Sequence, residues 1–387
     1  PDPYGMPPPP VHVANPSVHR GTGGYTLTSS SALRAKLPKT PVGIVGLTFL
    51  VASVLSILIS FIQRPQSVTQ LLVIGLSNGA TYALIALGYT MVYGIIELIN
   101  FAHGDLFMLT SVFGGVMINN WFNQNSSSPT AWTFLAVTLV LTMVFGAVMN
   151  MTIERLAYRR LRNAPKLAPL ITAVGVSFIL QNLGILDKIF GIKWNGSAPQ
   201  PRNKVLPDSK ITFGSIEIRT VDLIVILVTI PLLLLMTWLV QRTKVGKAMR
   251  ATAQDRDAAL LMGINVDRVI SYTFALGGAL AGAAGVLFVQ VNGQTRYDAG
   301  FRLGLIAFTA AVLGGVGNLL GAVVGAVLLG VIHALNDGRV LLPEGAPKWM
   351  VDFTGQKWTQ TVTFGILILM IIFRPGGIFG KHQQEKV

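Results

Sequence analysis

The residues whose side chains could bind or gate a solute follow the end of one long apolar run. The run ends at Ile96, and Glu97 and then Asn100-Phe101-Ala102-His103-Gly104-Asp105 come after it. A carboxylate at the middle of a bilayer costs roughly 2.5–3.5 kcal/mol, so acids here belong at a helix end or beside a wet cavity. Two interpretations stay open. Glu97, His103, Gly104 and Asp105 form a turn that lines or gates a translocation path, or Gly104 stops one helix and Asp105 caps the next.

A hydrophilic stretch at 242–268, between two apolar runs, indicates a short helix held at a membrane face. Asp255 can cap this helix through its carboxylate, and Gly263 can end it in the left-handed conformation. Ala258 and Ala259 are small, so another surface can approach the helix backbone closely. The stretch is either a docking site for a partner protein or an amphipathic segment lying on lipid headgroups.

Several chemistries have no matching pattern in the sequence. A G-x-x-x-x-G-K-[ST] loop for ATP phosphates is missing, so any ATP-derived energy must come from another subunit. The five histidines show no metal-ligand spacing, and no apolar run carries the arginine series of a voltage sensor. We therefore predict a protein that is not an enzyme and has no catalytic residues, metal or cofactor.

The composition is that of a membrane protein. Of the 387 residues, 51% are hydrophobic and only 12% are charged, against about 25% in ordinary soluble domains. The chain has no cysteine, which rules out disulfides. The net charge of +14 fits basic loops held against anionic membrane lipid better than it fits nucleic acid, since no nucleic-acid-reading motif accompanies it.

About 20 apolar residues are needed to span the hydrocarbon, and ten runs qualify as candidates. We predict an all-α polytopic membrane protein with about nine to ten transmembrane helices. The run 68–96 is longer than one crossing, so we expect a tilt, kink or break near Gly88. The split at 314–318 is the least certain boundary, and 303–315 is short for a crossing. The ten runs are 42–62, 68–96, 106–121, 131–153, 167–187, 221–241, 269–291, 303–315, 318–335 and 359–373.

The distribution of basic residues predicts the orientation of the chain. Dense Lys and Arg clusters at 155–166 and 242–268 belong on the cytoplasmic side by the positive-inside rule, which leaves both termini in the cytoplasm. Residues 1–39 are predicted to be a Pro-rich disordered cytoplasmic tail, and 381–387 a second, short tail. The transmembrane domain then covers 40–380.

Glycines recur at four-residue spacing, which lets membrane helices pack closely. The spacing occurs near the start of the second and the seventh candidate spans, and this indicates an internal repeat of two five-helix halves, inverted as in many transporters. The glycines are Gly75 and Gly79, Gly278 and Gly282, and Gly317, Gly321 and Gly325.

Three separated motifs resemble the LivH-type branched-chain amino acid permeases, the membrane subunits of bacterial ABC importers. They are the run from Gly75 to Asp105, the segment from Gly246 to Asn265, and the ending Phe373-Arg374-Pro375-Gly376-Gly377. The resemblance covers roughly 68–380. By it, Asp257, Ala258, Ala259 and Gly263 correspond to the EAA---G motif that couples import permeases to their ATPases, with Asp in place of Glu.

The resemblance also implies partners and a mechanism. We expect a second related permease, two cytoplasmic ATP-binding subunits, an extracytoplasmic solute-binding protein and a location in the inner membrane. The cargo is then a branched-chain or other small neutral amino acid, moved by alternating access. Uncharged polar groups suit such a path, and Asn78, Tyr82, Asn100 and Asn318 are the candidates, although each can equally satisfy helix backbone or pack against a neighbour.

Three alternative functions remain open at this point. Related permeases carry urea or short amides, and only the form of the Ile99–His103 motif favours amino acids. A channel or secondary transporter would work without ATPase subunits. A membrane scaffold would transport nothing.

Overall fold

The structure, a computed structural model, describes most of the chain after residue 57. The two predicted tails, most of the candidate span 42–62, and Glu97 lie outside the described part. The described residues are 55, 58–96, 100–121, 128–162, 164–165, 167–189, 192–194, 200–201, 205–206, 209–213, 216–340, 342, 347–352, 354–374 and 376–380.

Long apolar runs form the helices of the first half, because an apolar backbone segment in lipid must satisfy its own hydrogen bonds. A π-helical turn at Glu154–Tyr158 and a 3-10 turn at Arg159–Leu161 extend α3 beyond its regular end. The helices are α1 (Pro65–Ile96), α2 (Ala102–Trp121), α3 (Ser128–Ile153), α4 (Leu167–Ile185) and α5 (Thr220–Arg242).

The second half begins with two short helices and continues with long apolar ones. A 3-10 turn at Gln356–Trp358 leads into the last helix. The helices are α6 (Lys244–Gln254), α7 (Arg256–Leu261), α8 (Val266–Asn292), α9 (Ala299–Gly314), α10 (Leu319–Asp337), α11 (Lys348–Asp352) and α12 (Thr359–Phe373).

The all-α polytopic class is confirmed, while the count of nine to ten spans is not. Among the described residues, seven helical stretches are long and apolar enough to cross a membrane: α1, α3, α4, α5, α8, α10 and the stretch ending in α12. The apolar helix α9 is shorter, and the 20-residue α2 is less apolar. Each candidate run from 68–96 onward nevertheless coincides with one of these helices within a few residues.

A break near Gly88 is absent, and one of the two interpretations of Gly104 and Asp105 is wrong. Helix α1 runs through Gly88 without a break, and the glycine there makes room for the side chain of His103 instead. Helix α2 already includes Gly104 and Asp105, so Gly104 does not stop a helix and Asp105 does not cap one. In contrast, the uncertain split between α9 and α10 is present, with Gly315 and Gly317 at positive φ.

Spaced glycines bring helix backbones into direct contact. Gly75 and Gly79 on α1 lie against Gly330 and its neighbours on α10. Gly278 on α8 faces Gly146 on α3, and a side chain at either position would overlap the other's carbonyl oxygen. These contacts confirm the packing role expected for Gly75, Gly79 and Gly278, whereas an added Cβ at Gly317 would meet nothing within 4 Å.

The helix contacts of the two halves match in pairs. The most extensive interface joins α1 to α10, and the next joins α8 to α3. Suppose that α1, α2, α3 and α4 correspond in order to α8, α9, α10 and α12. The contact of α1 with α10 is then equivalent to the contact of α8 with α3. The contacts of α2 with α4 and of α9 with α12 also match. With this correspondence four helices of each half pair, against the inverted five-helix halves that the sequence predicted.

Short β-strands join the helices on the side opposite to α6 and α7. Lys188–Ile189 (β1) pairs with Ile192–Lys193 (β2), and Lys210–Phe213 (β4) pairs with Ile216–Arg219 (β5). Gln200–Pro201 (β3) pairs with Gln294–Thr295 (β6), immediately after α8.

Candidate functional site

Helices α2 and α9 both begin inside the bundle rather than at its surface. His103, at the start of α2, packs against Gly88, roughly two turns before α1 ends. The segment leading into α9 also folds inward, because the hydroxyl of Thr295 lies 2.7 Å from that of Ser111 in the middle of α2. Gly104 then meets Gly304, with only 2.7 Å between a Cβ built on Gly104 and the Gly304 Cα atom.

Asp105 lies where these two helix starts meet, and its side chain is fully buried. The Ser177 hydroxyl of α4 donates a hydrogen bond to one carboxylate oxygen, and Gln181 Nε2 donates to the other at 3.2 Å. Within the described chain no Lys or Arg makes an ion pair with it. An intramembrane carboxylate without a cationic partner indicates a functional site.

His103 and Tyr89 complete the polar group around Asp105. The two rings meet edge to face with centroids 4.8 Å apart, and both side chains are buried. Neither ring nitrogen of His103 makes a hydrogen bond of normal geometry to another described residue. The Tyr89 hydroxyl lies beside Gly304, at the same crossing of α2 and α9. Three of the four predicted gate-turn residues, His103, Gly104 and Asp105, therefore lie together, and Glu97 is outside the described residues.

The four predicted path residues do not form one cluster. Asn100 is buried before α2 and accepts a hydrogen bond of 2.8 Å from the Tyr158 hydroxyl. Asn78 and Tyr82 lie half-buried on α1, and the Tyr82 ring meets that of His333 at 5.8 Å. Asn318 accepts from the Gly321 backbone as the cap of α10 and donates to the Phe379 carbonyl, so both of its polar atoms are engaged.

The segment 242–268 forms a helical corner at one end of the bundle. Asp255 caps α7 by accepting hydrogen bonds from the backbone N–H groups of Asp257 and Ala258, both at 3.0 Å. Gly263 ends the corner with a φ of 77°. Both features follow the sequence prediction.

The exposure of side chains along α7 differs from what the small residues suggested. Asp257 and Ala258 are exposed, whereas Ala259 is 3% exposed and faces the protein. The apolar side chains of Leu261 and Met262 are 90% and 82% exposed. An apolar knob of this kind is suited to a protein partner.

Helix α7 is tied directly to the transmembrane bundle. Arg256 donates a hydrogen bond of 2.7 Å to the Ile95 carbonyl at the end of α1. A cavity of about 250 Å³ opens beside this contact. It lies between the last residues of α1, the start of α4 and the corner formed by α6 and α7. Residues 95–96, 158–162 and 252–268 therefore share one end of the bundle, called the coupling face below.

An ion-pair network on the coupling face joins α3 to α8. Arg162 pairs with the fully buried Glu154 and, at 2.6 Å, with Asp267 in the first turn of α8. Arg159 pairs with Asp267 as well, and Ser271 donates to Glu154 at 2.6 Å. Only Met262–Asn265 separate α7 from α8, so this network lies a few residues along the chain from α7.

Sequence reasoning missed several of these residues. Ser177 and Gln181 stand four residues apart on α4, the spacing of one helix face, which was an available signal. Glu154 was also visible as an acid directly after an apolar run. Nothing in the sequence pairs it with Arg162 and Ser271, because that contact depends on how α3 and α8 cross.

Comparison with known proteins agrees with this architecture. Residues 71–371 match the family described as the permease component of a branched-chain amino acid transport system. The chain belongs to this permease family. It is 38% identical over 322 residues to the high-affinity branched-chain amino acid transport system permease protein BraD of Pseudomonas aeruginosa, covering 82% of this chain and 97% of that protein.

Two further relatives are also permease proteins of transport systems. The chain is 37% identical over 318 residues to the permease protein LivH of Escherichia coli K12, covering 81% of this chain and 96% of LivH. It is 27% identical over 302 residues to the autoinducer 2 import system permease protein LsrC of Photorhabdus luminescens, covering 76% and 81%. No solved structure matches the chain significantly.

Proposed function

We propose that this permease is the membrane subunit of an importer for branched-chain or other neutral amino acids, driven by separate ATP-binding subunits. The single observation that carries the proposal is α7, a capped helix with an exposed apolar end that is fastened to α1 and α8 at the coupling face. Identity of 37–38% to branched-chain amino acid permeases over about four fifths of the chain supports the substrate class.

The proposed partners follow from the same features. By analogy with the permease family, the energy for transport comes from two cytoplasmic ATPases, docked at α7 and its neighbourhood, and the sequence itself carries no phosphate-binding loop of the Walker type. A second related permease completes the membrane domain, and an extracytoplasmic solute-binding protein delivers the amino acid. Membrane lipid surrounds the exposed apolar faces of α3, α4, α5 and α12. We place the coupling face in the cytoplasm of the bacterial cell, because it carries the dense basic clusters.

The proposed coupling route starts at α7. Movement of the docked ATPases shifts α7, and the shift reaches α8 through the short link Met262–Asn265 and α1 through Arg256. Because α8 and α1 belong to different halves of the repeat, the two halves rock against each other and open the path to alternate sides. Asn78, Tyr82 and Asn100 remain candidate path residues, and the two engaged polar atoms of Asn318 favour its capping role.

Reconstitution tests the proposal. The permease is assembled in liposomes with its ATPases, partner permease and binding protein, and uptake of radiolabelled L-leucine is measured with and without ATP. We expect uptake to require both ATP and the binding protein. Equal leucine flux through the permease without ATPases would instead show a channel or secondary transporter. Uptake of urea or acetamide in preference to leucine would show the amide-carrying alternative, and no flux of any of these would show a scaffold.

A further inference from the structure

The central crossing of α2 and α9 brings a buried carboxylate against the start of a helix. A Cβ built on Gly300, in the first turn of α9, would lie 2.6 Å from Asp105 Oδ1, so the carboxylate sits directly against that turn. The first N–H groups of a helix have no partner within the helix and carry a partial positive charge. The Asp105 carboxylate therefore faces a positive helix end in this closed arrangement.

A second, independent feature at the same crossing is the side chain of His103. It is 1% exposed, it lies two residues from Asp105, and its two ring nitrogens form no regular hydrogen bond within the described chain. A buried polar group is normally hydrogen-bonded, and one left without a partner calls for an explanation such as an absent ligand. The crossing thus offers an anion and a helix N-terminus, with a buried imidazole beside it on the α1 side of α2.

Separation of α2 from α9 would take Asp105 away from the positive helix end and leave it only the neutral donors Ser177 and Gln181, and it would leave the N-terminus of α9 without an anion. Asp105 would need a cation, and the N-terminus of α9 would need an anion, at neighbouring positions. A zwitterion supplies both at once. Helices that begin inside the membrane and meet at the interface between two repeats are also where transporters bind their cargo.

We propose that this crossing is the transport site for the charged head of an α-amino acid. Asp105 binds the ammonium group, the first turn of α9 binds the carboxylate, and His103 supplies a further hydrogen bond. The glycines at 104, 300 and 304 keep the site closed when it is empty, because they let the two helices touch. This assignment rests on the proposed amino-acid transport function and adds the residues that recognise the cargo.

The test compares two carboxylates that are both buried in membrane helices. Asp105 has neutral hydrogen-bond donors only, whereas Asp222 on α5 forms a two-pronged ion pair with Arg219, at 2.8 and 3.0 Å. Asp105→Asn and Asp222→Asn are each introduced into the complete importer. L-leucine uptake, ATP hydrolysis and thermal unfolding are then measured beside the wild-type complex.

We expect opposite results from the two variants. Loss of one partner of a buried charge pair weakens binding by about 100-fold, so Asp105→Asn should lower leucine uptake by that factor while ATP hydrolysis persists. Its unfolding temperature should stay equal or rise, because a neutral amide is easier to bury than a carboxylate. Asp222→Asn should lower the unfolding temperature and leave uptake per assembled complex within twofold.

Every other outcome contradicts either the site assignment or the proposed function. Leucine uptake by Asp105→Asn above half of the wild-type rate would overturn the site assignment alone. A lower unfolding temperature in Asp105→Asn than in the wild type would show that Asp105 is a structural group, and would also overturn it. Absence of leucine uptake by the wild-type complex would instead remove the proposed function, and the site assignment with it.

Discussion

At the scale of single residues, the helical corner at 242–268 contains features that the sequence predicts and others that it does not. The cap at Asp255 and the left-handed stop at Gly263 were predictable, because each depends on local backbone geometry. The direction of each side chain was not, because it depends on how α7 lies on the bundle. Ala259 faces inward for this reason, and Leu261 rather than the small residues gives the largest free surface.

Truncation of the exposed leucine should weaken ATPase binding. A leucine side chain that becomes buried in an interface contributes about 1.5–3 kcal/mol, so Leu261→Ala should weaken ATPase association by about tenfold or more. Val245→Ala on the adjacent α6, where the side chain is 42% exposed, is the matched control and should change association less than twofold. Association is measured by titration of the purified ATPase against the permease in nanodiscs. Equal effects of the two variants would contradict the assigned role of Leu261.

The backbone at Gly263 gives a second residue-level prediction. Gly263→Pro should abolish ATPase association without loss of membrane insertion, because proline cannot adopt a φ of 77° and lacks the N–H that donates to the Leu260 carbonyl. Gly263→Asn should retain association within about threefold, since asparagine tolerates the left-handed conformation. Co-purification of the ATPase with Gly263→Pro at the wild-type level would remove the docking role of α7.

At the scale of helices, glycine contacts decide how closely the elements approach. Spacing alone indicated that Gly278 and Gly282 serve packing, but it did not identify α3 as the partner. Hydropathy predicted the positions of the helices, because the length of an apolar run can be read directly from the sequence. It did not show that α2 and α9 begin inside the bundle, because hydropathy reports how apolar a segment is and not how deep it lies.

A side chain added at the α3–α8 contact should therefore destabilise the bundle. Gly278→Val forces a branched side chain against the Gly146 backbone, and overpacking of this kind costs about 1–3 kcal/mol. We expect a lower unfolding temperature in detergent and less folded protein in the membrane. Gly365→Val on α12, where an added Cβ meets nothing within 4 Å, should leave both unchanged. If the two variants unfold at the same temperature, α3 and α8 do not touch there.

At the scale of the whole molecule, polar links between described residues join the two halves. The network of Arg159, Arg162 and Glu154 with Asp267 is one of them, and it lies next to the helix that receives the ATPase. Glycine spacing gave only the prediction of a repeat. The ionic link was not predictable, since its members are more than a hundred residues apart along the chain.

Removal of this link should separate ATP hydrolysis from transport. Asp267→Ala leaves Arg159 without its partner and Arg162 with only Glu154, so α8 should move without carrying α3 along. We expect leucine uptake per ATP hydrolysed to fall by about fivefold to tenfold, in the range typical of coupling energies. Asp298→Ala, which breaks an exposed pair with Arg296 before α9, should leave this ratio unchanged. An unchanged ratio in Asp267→Ala would exclude the network from the coupling route.

The strand pair β3–β6 has a consequence for the opposite side of the membrane. It joins the loop after α4 to the segment that dips down toward the start of α9, and Gln290 adds bonds to the backbone N–H groups of Val205 and Leu206. A solute-binding protein of the kind proposed above, bound at this loop, would therefore contact a segment that continues into the first turn of α9, where Gly300 lies against Asp105.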